Sequence, residues 1–172
     1  FYFFSTFTLN VISSQILVDP EKAHELVSSL GEYLHAKFDF ENTHKWIHLD
    51  EELSMVGSYL ELEQSRFEER LKVVWDVEDH LHFLLPPFTL QPLVENAIRY
   101  GLEENTEGCL ISISAEACPE KDQLIIYVKN DGSAFEDDLL SKLENRQIEP
   151  HGFGIGLLNI QKRMQITYGE AY

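Results

Sequence analysis

The segment HGFGIGLLNIQKR, residues 151–163, sets Gly152, Gly154 and Gly156 at alternate positions and then runs into an apolar-periodic stretch. Its second half reads as the start of a helix. Glycines just ahead of a helix let the backbone come close to an anion, and the helix N-terminus supplies N–H donors and a favourable field. Taken alone, Gly-x-Gly-x-Gly describes a flexible turn equally well. What lies upstream decides between a turn and a phosphate cradle.

Two stretches upstream bear on that choice. In LQPLVENAIRYG, residues 90–101, Glu95 and Asn96 sit on an amphipathic helix beside Leu93, Val94, Ala97 and Ile98. An asparagine there can offer its side-chain oxygen to a hard cation such as Mg²⁺. By itself the pattern also fits a helix with solvated polar residues. In VKNDGSAF, residues 128–135, a strand ends in a polar pair followed by Gly132. Either Asn130 or Asp131 can accept a hydrogen bond from an exocyclic amine, although an ordinary Asn-Asp-Gly turn uses the same residues.

The rest of the chain frames these stretches. Phe4, Phe7, Val11, Ile12 and Ile16 recur at helical spacing, and Asp19-Pro20 punctuates as an N-cap followed by a first-turn proline. Ala23, Leu26, Val27, Leu30 and Leu34 form a second stripe. Residues 39–48 are polar and broken, and Leu53, Val56, Leu60 and Phe67 form a third stripe with dense charge on its other side. From Leu71 the pattern changes. LKVVWDV reads as a strand, and CLISISAEA (109–117) and QLIIYVK (123–129) alternate around a turn at Pro119–Asp122, which predicts an antiparallel hairpin. The order of elements is not a βαβ repeat, and the glycines do not directly follow a parallel strand, which disfavours a Rossmann fold. The expectation is an α+β chain, helical over 1–69 and mixed over 70–172.

Composition narrows the partners. The chain has 172 residues, 44% of them hydrophobic and 12% aromatic, with a net charge of -17. That balance argues against nucleic acid and against an anionic membrane surface, because both reward lysine and arginine. An acidic protein that binds a nucleotide must build its positive field locally, from backbone N–H groups. Cys109 and Cys118 lack metal-ligand spacing and read as free thiols of a reducing compartment. No apolar run approaches the roughly twenty residues that span a bilayer. FYFFSTF at the start has no basic flank, so it reads as a helix entered part-way and not as a signal peptide.

The three features, in one order on helix, strand end and helix start, resemble the N, G1 and G2 boxes of the Bergerat ATPase fold of DNA gyrase, MutL and the histidine kinases. IHLDEELSMVGSYLELEQSRF, LLPPFTLQPLVENAIRYG and GFGIGLLNIQKRMQITYGEAY look more narrowly like the LytS-type sensor histidine kinases, over almost the whole chain. The resemblance implies a helical dimerisation region at 1–69 and, at 70–172, a two-layer α/β-sandwich ATP-binding domain that stops before two further family strands. It implies ATP and Mg²⁺ as cofactors, with Asn96 as the metal ligand and Glu95 beside it. Tyr100 occupies the place of the family's histidine after the N box. Asn130, Asp131 and Gly132 would face adenine. Gly152, Gly154, Ile155, Gly156 and Leu157 would cradle the phosphates, and residues 136–152 would form a lid. The implied partners are a second copy of the chain and a response regulator. The implied location is the cytoplasmic part of a bacterial protein anchored in the membrane through a sensor region outside this sequence.

Departures from the family pattern matter as much. Aligning Thr8, Leu9 and Asn10 places Phe3 at the phosphoacceptor histidine position, or Tyr2 with a one-residue slip. Neither ring has a nucleophilic nitrogen. His24 and His35 are not substitutes, by face or by distance along the chain. The adenine loop is Asn-Asp-Gly where the family has Asp-Asn-Gly, and Ala134 replaces its next glycine. Two readings therefore stand. One is a kinase that phosphorylates histidine and relays the phosphoryl group. The other is a catalytically silent module that dimerises, binds nucleotide and signals by conformation. A gyrase-like ATPase is the weaker third, because Pro92 occupies the position of its water-activating acid.

Overall fold

The computed structural model describes residues 2–42, 46–103, 105–118, 120, 123–132 and 153–169, with side chains over 7–39, 46–102, 105–118, 120, 123–132 and 158–169. It is α+β, as the patterning predicts. Helices α1 (Tyr2–Gln15) and α2 (Pro20–Asn42) meet at Asp19, whose Oδ1 accepts the Lys22 N–H at 3.0 Å. This is the expected cap, with Pro20 in the first turn, where its missing N–H costs nothing. Helix α2 continues through the polar stretch to Asn42. A two-residue strand β1 (Ile47–His48) leads into α3 (Leu49–Phe67), where the Glu51 carboxylate accepts the His48 N–H at 2.8 Å. Helix α3 ends at Glu68 with φ 51°, and one 3₁₀ turn (Glu68–Arg70) feeds β2 (Leu71–Val77).

Strand β3 (Leu84–Leu85) pairs antiparallel with β1, Ile47 opposite Leu85. Helix α4 (Gln91–Glu103), strands β4 (Cys109–Cys118) and β5 (Gln123–Asn130), and helix α5 (Phe153–Tyr168) follow. The main sheet runs β2-β4-β5. The expected hairpin is present: β4 and β5 pair antiparallel, Ile111 opposite Asn130. Strands β2 and β4 are parallel, Leu71 opposite Cys109, so β2–α4–β4 is one βαβ step. Element order alone did not show this, because the partner of β2 lies across a helix. The glycine segment still does not directly follow a parallel strand.

Alternation sets the layers. Cys109, Ile111, Ile113 and Ala115 of β4 are buried on the face that α4 covers, while Val74, Leu110 and Tyr127 show on the other face. Helix α3 is the axis of the molecule. Its Leu49, Met55, Val56, Tyr59, Leu60 and Leu62 join one continuous core that runs from Ile12 and Leu26 to Leu71, Val94 and Ile111. The Leu53, Val56 and Leu60 stripe is thus covered within the chain. Exposed apolar side chains in the helical region include Leu9 on α1, Ile16 just beyond its end, and Val27, Leu34 and Phe38 on α2.

Candidate functional site

Helix α4 carries the first part of the site. Leu90, Val94, Ala97 and Ile98 repeat at helical spacing and are buried. That face is seated on the sheet, which leaves Asn96 and Tyr100, one turn apart, half-buried at the side. The Asn96 amide nitrogen donates to the Pro92 carbonyl, a turn earlier on the same helix. Pro92 lacks an N–H, yet its carbonyl is still free to orient that side chain.

Helix α4 and the end of β5 are pressed together through two glycines. A Cβ on Gly132 would lie 2.7 Å from the Gly101 Cα and 3.0 Å from the carbonyl oxygens of Tyr100 and Gly101. A Cβ on Gly101 would meet the Cys109 sulfur at 2.7 Å and the Asn130 Cβ at 3.6 Å. The LQPLVENAIRYG and VKNDG stretches therefore converge, with Tyr100, Asn130 and Gly132 at their junction.

The polar pair ending β5 splits in two. Asn130 pairs with Ile111 on the side of the sheet that α4 covers. Asp131 is exposed, and its Oδ1 accepts the Leu110 N–H at 2.7 Å while its own N–H donates to the Leu110 carbonyl at 3.3 Å. Asp131 thus extends the β4–β5 ladder. Burial, reinforced by the nearby Asp131 charge, pushes the Cys109 thiol up to about 11, so it is unreactive at neutral pH.

Helix α5 begins at Phe153, four residues before the expected start, so Gly154, Ile155 and Gly156 lie in its first turn and Leu157 follows. The unpaired N–H groups of a helix start belong to that turn. Helix α5 packs against α4. At its far end the Tyr168 hydroxyl donates to the Leu84 carbonyl at 2.8 Å, and the Tyr168 ring meets Trp46 edge-on. Arg163 Nη1 donates to the Pro87 carbonyl. Gly152 and the lid at 136–152 fall outside the described residues, and Phe3 lies in the first turn of α1.

Glu95 is placed toward the helices. The Gln91 amide donates to its Oε1 at 2.7 Å and to the Tyr33 hydroxyl of α2 at 2.6 Å. Burial drives the Tyr59 phenol far above its ordinary value, and the charges of Glu63 and Glu95 push the same way. Burial also raises the Glu63 carboxyl against the pull of Arg66. Sequence reasoning missed this cluster, and with it the fully buried Glu52, whose Oε1 accepts the Leu90 N–H at the start of α4. The available signal was spacing. Glu52 and Glu63 fall in phase with Leu49, Val56 and Tyr59 on the apolar face of α3.

Residues 4–71 match the family model described as histidine kinase. The chain is 31% identical over 162 residues to the sensor histidine kinase YpdA of Escherichia coli K12, covering 94% of this chain and 28% of that protein. It is 31% identical over 170 residues to the sensor protein LytS of Staphylococcus haemolyticus, covering 98% and 28%. The chain belongs to the LytS-type sensor histidine kinases. Another relative of this LytS-type chain is protein YwpD of Bacillus subtilis strain 168, 36% identical over 166 residues, covering 94% of the chain and 57% of YwpD. The chain thus spans a little over half of one of these relatives and about a quarter of the other two. The histidine kinase match ends at Leu71, where β2 begins. Among the described residues of this LytS-type chain, no helix is long and apolar enough to cross a membrane.

Proposed function

We propose that this chain is the cytoplasmic dimerising and nucleotide-binding portion of a membrane-anchored two-component sensor kinase, with a Bergerat-type sandwich that takes Mg-ATP between α4, the end of β5 and the start of α5. The observation that carries the reading is the glycine-to-glycine apposition of α4 and β5, which sets the Asn96–Tyr100 side of the helix beside Asn130. The residues fit the ligand. Asn96 has an oriented amide whose oxygen suits Mg²⁺, an ion that otherwise keeps water and phosphate oxygens as ligands. The described residues hold no cluster of three acidic, histidine or cysteine side chains for a metal, so Asn96 would share the ion with the nucleotide phosphates. Asn130 is the adenine-side candidate by position, beside Gly101 on the sheet face that α4 covers, whereas Asp131 extends the β4–β5 ladder at the exposed edge. A neutral amide gives a weaker bond than a carboxylate. The first turn of α5 would receive the phosphates.

The expected result is weak Mg-ATP binding. Asn96→Ala removes its Mg²⁺-dependent part and leaves a small metal-independent remainder. Calorimetry with and without Mg²⁺ measures both, and equal affinities in the unsubstituted chain would remove Asn96 from the metal site.

Association with a second copy is the other half of the proposal. Val27, Leu34 and Phe38 are 52%, 37% and 70% exposed and recur along α2 at seven- and four-residue steps. With Leu9 of α1 and Ile16 just beyond its end they make the apolar seam that a paired bundle hides. Burying each such side chain contributes about 1.5–3 kcal/mol. Val27→Glu with Phe38→Glu is therefore expected to weaken a homodimer by about a hundredfold or more. Sedimentation across concentration reads this, and a monomeric unsubstituted chain at high micromolar concentration would count against the seam.

Relay of phosphate to a response regulator is the reading if an acceptor histidine is supplied. The silent module is the second reading, favoured by Phe3.

A further inference from the structure

Where α3, the start of α4 and α5 come together, the structure buries an acid that the nucleotide site does not use. Glu52 has no solvent exposure. Its Oε1 accepts the Leu90 N–H, and the backbone at Thr89 and Gln91 also stabilises its charge. A carboxylate on one helix thus caps the N-terminus of another, thirteen residues long. Among the described residues, its second oxygen, Oε2, is buried without a hydrogen-bond partner, and so is Oε1 of Gln91 at the same helix start. The cation that acts on Glu52 is Arg163 of α5, whose guanidinium is held at the Pro87 carbonyl. The nearby acids Glu63 and Glu95 bear instead on Tyr59, and α2 contributes a neutral hydroxyl, Tyr33, on Gln91.

We propose that Glu52 is a positioning residue whose charge, set on α3, holds the start of α4 and draws Arg163 so as to seat α5, tying both helices of the nucleotide site to the helical region. In its effect on nucleotide this rests on the reading above; the tie itself rests on the Leu90 hydrogen bond to Glu52, the Arg163 hydrogen bond to the Pro87 carbonyl just ahead of α4, and the pull of the Arg163 charge on Glu52. A cap chosen only for stability would not leave two buried acceptors unmatched, because each costs free energy. Burial pushes the Glu52 carboxyl up to about 7 against the pull of the backbone N–H groups and Arg163, so the tie is made or lost close to neutral pH.

The sign follows from that shift. An acid whose folded value is raised binds its proton more tightly in the folded state, so its contribution to stability is lost as pH rises from the ordinary carboxyl value through about 7. Glu52→Gln keeps an acceptor for Leu90 and removes the charge. At pH 8 the variant should therefore melt above the unsubstituted protein while α5 loosens, and at pH 5 both differences should vanish. Hydrogen exchange of the 158–168 amides, compared between the two proteins at the same pH, is expected to be about fivefold faster in Glu52→Gln at pH 8. Arg163→Met should give the same increase, and the two substitutions together no further increase. Equal exchange of the 158–168 amides in Glu52→Gln and the unsubstituted protein at pH 8, with both folded by circular dichroism, overturns the proposal. Mg-ADP calorimetry on the same proteins separates the two readings. If exchange differs but no protein binds nucleotide, the tie stands and the nucleotide site falls; if nucleotide binds but exchange is equal, the reverse holds.

Discussion

Gly132→Ala is expected to destabilise the protein by about 3 kcal/mol and to abolish nucleotide binding, because the added methyl has nowhere to go. It would sit 2.7 Å from the Gly101 Cα and 3.0 Å from two carbonyl oxygens, all of them backbone of α4. A flexible side chain could swing aside; a helix can only be displaced. The strain would move α4 away from β5 at the point where Tyr100 meets Gly132, in the loop proposed to face adenine. Urea unfolding gives the stability loss and calorimetry the binding loss. A fully stable Gly132→Ala would mean that the two glycines are further apart in solution. Gly31, whose added Cβ meets nothing within 4 Å, is the matched control and should tolerate alanine in its helix.

Phe3→His is expected to change the chain from one that takes no phosphate to one that carries an acid-labile phosphoryl group. Transfer to a nitrogen nucleophile needs in-line placement and neutralisation of the phosphate charge rather than covalent help from the protein. Phe3 lies in the first turn of α1, the helix whose remainder the histidine kinase match covers from residue 4. Radiolabelled ATP followed by acid treatment reads the result. Gly154→Ala in the same background should suppress the label, since a methyl there would crowd the approach of the phosphates to the start of α5 under the proposed reading. Labelling of the unsubstituted chain would show that the acceptor lies elsewhere. Absence of label on Phe3→His, in a protein that dimerises and binds ATP, would favour the silent module.

Local features were legible in the sequence because local chemistry decides them. Asp19-Pro20 starts α2 as written, and the alternation of CLISISAEA and QLIIYVK produces the β4–β5 pair. What could not be read is what an element touches. The Leu53–Val56–Leu60 stripe shows that one face of α3 is apolar but not that α2 and α4 cover it. The parallel pairing of β2 with β4 is a contact between residues 38 apart, such as Leu71 and Cys109. Gly101 and Gly132 each look like an ordinary helix end or turn until the other is seen against it. Asn130 and Asp131 were interchangeable on paper; the pleat of β5 separates them, one toward α4 and one onto Leu110. Charge misled at Glu52, because an acid on a charge-rich helix reads as solvated and only its phase with Val56 says otherwise.

The continuous core through α3 carries a practical lesson for anyone splicing signalling proteins. A hybrid that exchanges the parts on either side of residue 69 would cut between Leu62 and Leu71, both buried in the same cluster, and would strip Glu52 from the helix it caps. Neither half would keep its packing, and a chimera joined there should be prone to aggregation even if its reading frame is perfect. Transplants are better made as a single cassette that keeps α1 through α5 from one parent.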